Sequence, residues 1–307
     1  MTLRLRSLLP AVSVVVALAA CGGTAEIADP TQPSPGGTGQ GSSGAPADAD
    51  PSAPDGTSTP PDASGPKVTI AMRGSTAPFA HADAWSGQTP EKQVVAIRSL
   101  WLLRSPTDPK PLKVFDHGPN AVETDLVTGA TTQVASVVAK TLPAGVFTIA
   151  KAGVAYVRYS VGARMHSIVS VDGQYDNVQS LSDGAVIDGV SRDKGWFRYS
   201  FSSGGTTYGT LEGGDAPVPA VSTNGGLTLD TSGPESFYVF PVQVAIDPDV
   251  KVDHEVLLEL NVHESFRWLD QAGAAYSTGV FDTTPSTFEP VMAFGANAFT
   301  LSIGPKQ

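Results

Sequence analysis

Between His254 and Trp268 the chain alternates apolar and polar residues with period two. Val256, Leu258, Leu260 and Val262 fall on one face, and Glu255, Glu259, Asn261 and His263 on the other. That is the pattern of a strand with one face in a core and one in water. Glu264 breaks the inward set before Phe266 and Trp268, which predicts a bulge there. The stretch SFYVFPVQVAI puts Tyr238, Phe240, Val242, Val244 and Ile246 on one face. Pro241 has no N–H to give to a ladder, so this strand is expected at an edge or with a bulge. GWFRYSFSSGGTTYGTL reads as a hairpin, with Phe197, Tyr199 and Phe201 on one face and Gly204-Gly205 as the turn. Leu100 to Arg104 and Leu112 to Phe115 form another hairpin around Pro106, Asp108 and Pro109. VFTIAKAGVAYVRYSV is a long strand or a bent pair, with a bend or bulge at Gly153. Residues 133–140, QVASVVAK, read as a short helix or a Val-rich strand. Many short strands with turn-rich connections predict an all-β fold over residues 67–307, an antiparallel β-sandwich. It forms one large domain or two subdomains split near residue 165.

The first 66 residues follow a different pattern. Arg4 and Arg6 precede an apolar run from Leu8 to Leu18, broken by Pro10 and Ser13, and Ala19 and Ala20 end it. Positive start, short apolar middle and small-residue end predict a secretory signal peptide over residues 1–20. The run is shorter than the ~20 apolar residues that span a bilayer. Leu18-Ala19-Ala20-Cys21 resembles the lipobox of bacterial lipoproteins. The resemblance implies that the Cys21 thiol takes a diacylglycerol, that the chain is cut before it, and that the protein is held outside the cytoplasm by its lipid. With Gly22 following, it implies the outer membrane if the cell has two. Cys21 is the only cysteine, so the folded part relies on its core rather than on disulfides. Residues 22–66 contain no aromatic residue and one large aliphatic, Ile27. Such a segment buries too little apolar surface to offset ordering entropy, so residues 21–66 are expected to be a lipidated Cys and a disordered linker. Gly39-Gln40-Gly41-Ser42-Ser43-Gly44 fits a dinucleotide fingerprint only in letters, because no strand and helix flank it.

Charge narrows the partners. The chain has 19 basic and 30 acidic residues; without the two signal arginines and the six acids of the linker, residues 67–307 carry a net −7. That balance argues against nucleic acid and for solubility.

Asp125, Leu126, Leu142, Pro143, Ala144, Gly145 and Phe147 resemble the "D-L…LPAG-Y" segment of transthyretin-like (prealbumin-like) sandwich domains of bacterial surface lipoproteins. The resemblance spans about Val94 to Val161. It implies a fold and a cell-surface habit, with the Pro-x-Gly turn leading into a strand whose aromatic packs in the core. It carries no catalytic residue.

The search for chemistry yields little. His81, His117, His166, His254 and His263 show no HExxH and no helical i, i+4 pairing. No serine sits in a G-x-S-x-G elbow, although a Ser-His-Asp set needs no such proximity in sequence. Hard cations favour clustered loop oxygens, which makes Asp247, Asp249 and Asp253 calcium candidates, with Asp172, Asp176 and Asn177 as a second group. Trp85, Trp101, Trp196 and Trp268 with Tyr175 and Tyr208 are read as core packing before a sugar-stacking platform. The expected function is a membrane-anchored envelope lipoprotein whose sandwich binds a protein or glycan partner. The alternatives are an envelope-polymer hydrolase whose site assembles only by folding, and an inert spacer.

Overall fold

The computed structural model describes residues 64–216, 227–273, 276–285 and 287–306. The segments expected to be a signal peptide and a linker, with Cys21 between them, lie outside the described residues as far as residue 63. The described residues all fall within one compact unit, Thr59–Gln307.

The described chain is all-β, with one 3₁₀ turn at Ala139–Thr141. Its strands are β1 (Lys67–Ser75), β2 (Ser86–Gln88), β3 (Lys92–Leu103), β4 (Leu112–Asp116), β5 (Val122–Asp125), β6 (Thr132–Val138) and β7 (Gly145–His166). Next come β8 (Ser170–Ser180), β9 (Ala185–Ile187), β10 (Val190–Arg192), β11 (Phe197–Ser203), β12 (Thr206–Gly213) and β13 (Thr228–Asp230). The last are β14 (Ser236–Ile246), β15 (His254–Asn261), β16 (Phe266–Trp268), β17 (Asp282–Thr283), β18 (Val291–Ala293) and β19 (Ala298–Pro305). The segment at 133–140 is therefore the strand β6 running into the 3₁₀ turn, in keeping with its β-branched residues.

Strand β7, 22 residues long, is the spine of the larger sheet. Along one edge it pairs with β14 through Gly145 to Val154 and with β8 through Tyr156 to His166. Along the other it pairs with β3 from Ile149 to Ser160. Met165 lies inside this strand and pairs with Thr283. Hairpins extend both sides: β3 carries β4 and β5, and β8 carries β11 and β12. A smaller sheet has the order β19-β15-β1-β6. Pairing is antiparallel throughout except for β1 with β15 and β17 with β7. The two sheets share one core: Met72, Val134, Leu258 and Leu260 of the smaller meet Ile97, Phe147, Val154 and Phe240 of the larger.

The irregularities follow from local chemistry. Pro241 lies at a register shift of β14 on β7, the bulge its missing N–H requires. Gly153 leaves β7 unbroken. The two register shifts with β3 lie beside it, one leaving Ala155 of β7 as the extra residue and the other Arg98 of β3. A Cβ on Gly153 would lie 2.0 Å from Glu235 Oε1 and 2.3 Å from Ser99 Oγ, so glycine serves close approach there. Glu264 makes a full corner rather than a bulge. It takes φ +46, after which β16 leaves the smaller sheet and pairs with β2 and β18. Gly145 opens β7, and Phe147 two residues on is fully buried, as the Pro-x-Gly reading expects.

Candidate functional site

At the end of the smaller sheet that starts β1 and ends β19, the two sheets stand apart around a cavity of about 490 Å³. The register explains its layering. Val68, His254 and Pro305 lie side by side on β1, β15 and β19. One step in come Ile70, Val256 and Ile303, and then Met72, Leu258 and Leu301. These rungs form one wall. The larger sheet supplies the other through Ala150 and Ala152 of β7 and Phe240, Val242, Val244 and Ile246 of β14. Leu100, Leu102, Val114 and Phe115 close one flank, with Val134 and Leu142 beside them. The alternation that marked these strands in the sequence thus points Val256 and Leu258, and Phe240, Val242, Val244 and Ile246, into this space. Alanines at 150 and 152, opposite larger residues, leave it unfilled.

Two ionisable side chains line it, Asp247 and His254, both where the strands end. His254 donates Nδ1–H to the Val252 carbonyl (3.0 Å). The Nε2 of the neutral ring is then an acceptor. Asp247 accepts the Asp249 N–H (2.9 Å), the usual work of an aspartate in a turn. The site is a hydrocarbon chamber with a polar end.

Of the first calcium candidates, Asp247 and Asp253 accept backbone N–H groups. Asp247 closes the turn at Asp249, and Asp253 accepts the Lys67 N–H (2.8 Å). Asp172 and Asp176 lie in β8, bonded to Arg164 and to Ser160 Oγ, and Asn177 donates to the Tyr159 hydroxyl (3.0 Å). Among the described residues, the one set with three His, Asp or Glu ligand atoms within 4.8 Å of one another is His81, His263 and Glu264. Its two imidazoles differ: His81 donates Nε2–H to the His263 carbonyl (3.3 Å) and keeps Nδ1 as an acceptor, as a ligand would, whereas His263 does not. The Phe79 N–H donates to His263 Nδ1 (3.3 Å), so the neutral ring keeps its proton on Nε2. A ligating imidazole needs the opposite arrangement, with the non-ligating N–H donated outward.

The aromatics divide. Trp268, Tyr175 and Trp196 are buried, Trp85 and Trp101 are half-buried, and Tyr208 is exposed. His117 bonds the Val134 carbonyl (2.9 Å). Sequence reasoning named Asp247 of this cavity, as a calcium candidate, and none of its apolar lining. The one signal for it was the excess of inward aliphatics over large aromatics on β1, β14 and β15, and that signal looks the same for a filled core.

Comparison with models of known protein families, with curated proteins and with solved structures finds no match, so the cavity itself carries the functional reading.

Proposed function

We propose that this protein is an envelope lipoprotein, anchored through lipid on Cys21, whose transthyretin-like β-sandwich binds an apolar small molecule between its sheets. The observation that carries this is the cavity of about 490 Å³, walled by aliphatic and aromatic side chains. Its volume falls in the range of small-molecule sites, ~300–1,000 Å³. Its lining offers water few partners, so a hydrocarbon is better housed there than water. Asp247 and His254 at one end offer an acceptor-rich exit for the ligand's polar head, so a single-chain amphiphile fits better than a wholly apolar molecule. The expected protein or glycan partner is replaced in this reading by a molecule held inside. Tether and acidic surface fit a soluble head working beside a membrane.

The test is organic extraction of the purified full-length protein followed by mass spectrometry, with titration by a fluorescent long-chain alcohol, whose hydroxyl can donate to Asp247 or His254. A co-purifying amphiphile and saturable micromolar binding support the reading. Clean protein with no saturable binding refutes it.

A further inference from the structure

The tip of the β7–β8 hairpin brings together three side chains that the cavity does not use. His166 and Ser170 face each other in register. Ser170 Oγ lies 2.8 Å from His166 Nδ1, and Asp282 Oδ1, 116 residues on in sequence, lies 2.6 Å from His166 Nε2. Asp282 is fully buried, and His166 is largely so. The other Asp282 oxygen accepts the Ser277 N–H (2.9 Å). Its position is set by β17, whose Asp282 pairs with Arg164 of β7, one rung from His166. Tyr276 packs edge-on to the imidazole, ring centroids 5.3 Å apart.

This order fixes the protons. An acceptor-only carboxylate on Nε2 requires Nε2–H, which in the neutral ring leaves the Nδ1 lone pair facing the serine hydroxyl. Nucleophile, base and buried orienting acid stand in the relation that activates a serine, with the two ring nitrogens exchanged relative to the usual arrangement. We propose that Ser170, His166 and Asp282 form a serine-hydrolase triad acting on carboxylic esters with an apolar group. The apolar preference comes from the loop that carries the serine: Ile168 is fully exposed and Val169 is 67% exposed.

In the reaction, Ser170 Oγ bonds to the ester carbonyl carbon while its proton passes to His166 Nδ1, and the carbonyl π pair moves onto oxygen. Collapse of the adduct breaks the bond to the alkoxy oxygen, which leaves as an alcohol with the proton from His166. Water then adds to the acyl-serine, giving one proton to His166. The carboxylic acid departs as Ser170 takes that proton back. Asp282 is a positioning residue that holds the tautomer throughout.

The experiment treats detergent-purified full-length protein with a fluorophosphonate probe and with p-nitrophenyl butyrate. The expected result is a single adduct mapped to Ser170 and ester turnover that falls about a hundredfold or more in Ser170→Ala and His166→Ala. Ser167→Ala, on the same exposed loop, keeps both. In Asp282→Asn the oxygen stays on the Ser277 N–H, and the amide faces Nε2 and reverses the tautomer. That variant loses at least tenfold in kcat with KM unchanged. The Ser170 hydroxyl is exposed, so Ser170→Ala leaves the melting curve unchanged and decides the matter even if a His166 variant misfolds. No adduct on Ser170, or turnover unaltered in Ser170→Ala, overturns the proposal and leaves the three residues as a staple for the hairpin.

Discussion

Gly74 and Leu126 meet backbone to backbone: a Cβ on Gly74 would lie 1.6 Å from the Leu126 carbonyl oxygen. Leu126 is in turn tied to the larger sheet through its N–H to the Gln93 carbonyl (2.7 Å). The sheets are pinched at this point, and the cavity begins one inward position away, at Met72. Glycine is required here for space, not for conformation. Gly74→Ala is expected to destabilise by about 3 kcal/mol, the upper range for overpacking. Gly209→Ala on exposed β12, where a Cβ meets nothing within 4 Å, stays within about 0.5 kcal/mol. Urea unfolding of the two variants checks this.

Filling the chamber separates a binding site from a loosely packed core. Ala150 is buried and lines the cavity. Ala150→Phe should hold or raise the melting temperature of ligand-free protein, because the ring occupies existing space, and should weaken binding of the long-chain alcohol at least tenfold. A tightly packed site would instead lose about 1–3 kcal/mol.

Arg267 is a buried cation, with its side chain 6% exposed. It donates to Asp83 and to the Trp85 carbonyl (2.6 Å). Asp83→Ala leaves this buried cation without its nearest carboxylate and should cost about 3 kcal/mol. Arg73 also pairs with a carboxylate, Glu259 at 2.6 Å, but is 42% exposed. Arg73→Ala should cost under about 1 kcal/mol. Differential scanning calorimetry of both variants tests the contrast.

Acid should unfold the domain through its paired aspartates. Asp230 is held down at about 2 by the Ser232 hydroxyl and N–H and then by Lys151. Asp188 is held below its ordinary value chiefly by Arg158, with Arg198 adding to it against the cost of burial. Each folded-state pKa lies below the unfolded one, so the native state binds fewer protons. The stabilisation is present above the ordinary 3.8 and is lost as pH falls, for Asp230 down through about 2. Glu289 has the opposite sign: burial raises it, and its contribution fades as pH rises through the raised value. Urea midpoints measured from pH 5 to pH 2 should fall, and less steeply in Asp230→Asn.

The proposed anchor has a direct check. Cells fed radiolabelled palmitate should label the wild-type chain, and Cys21→Ala should lose the label and leave the membrane fraction. Label retained in the variant would rule out this anchor.

The strands were legible in the sequence because their information is local. Period-two alternation at Val256–Val262 and Tyr238–Ile246, Gly204-Gly205 at a turn, and Pro241 at a bulge each act over a few residues, and each appears where the pattern put it. The corner at Glu264 was half legible. A break in pattern marks a deviation but not its size, which depends on whether the next strand finds β2 and β18. Pairing lay beyond local reading. β1 joins β15 in parallel from 186 positions away, as in Arg73 with Glu259, because both bury apolar faces against the same larger sheet. The cavity is a volume left between two sheets, and no single strand encodes how far apart they stand. His166 and Asp282 each looked like ordinary polar positions. Only the closure of β17 onto the end of β7 set a buried carboxylate against that imidazole and so made a chemical arrangement from them.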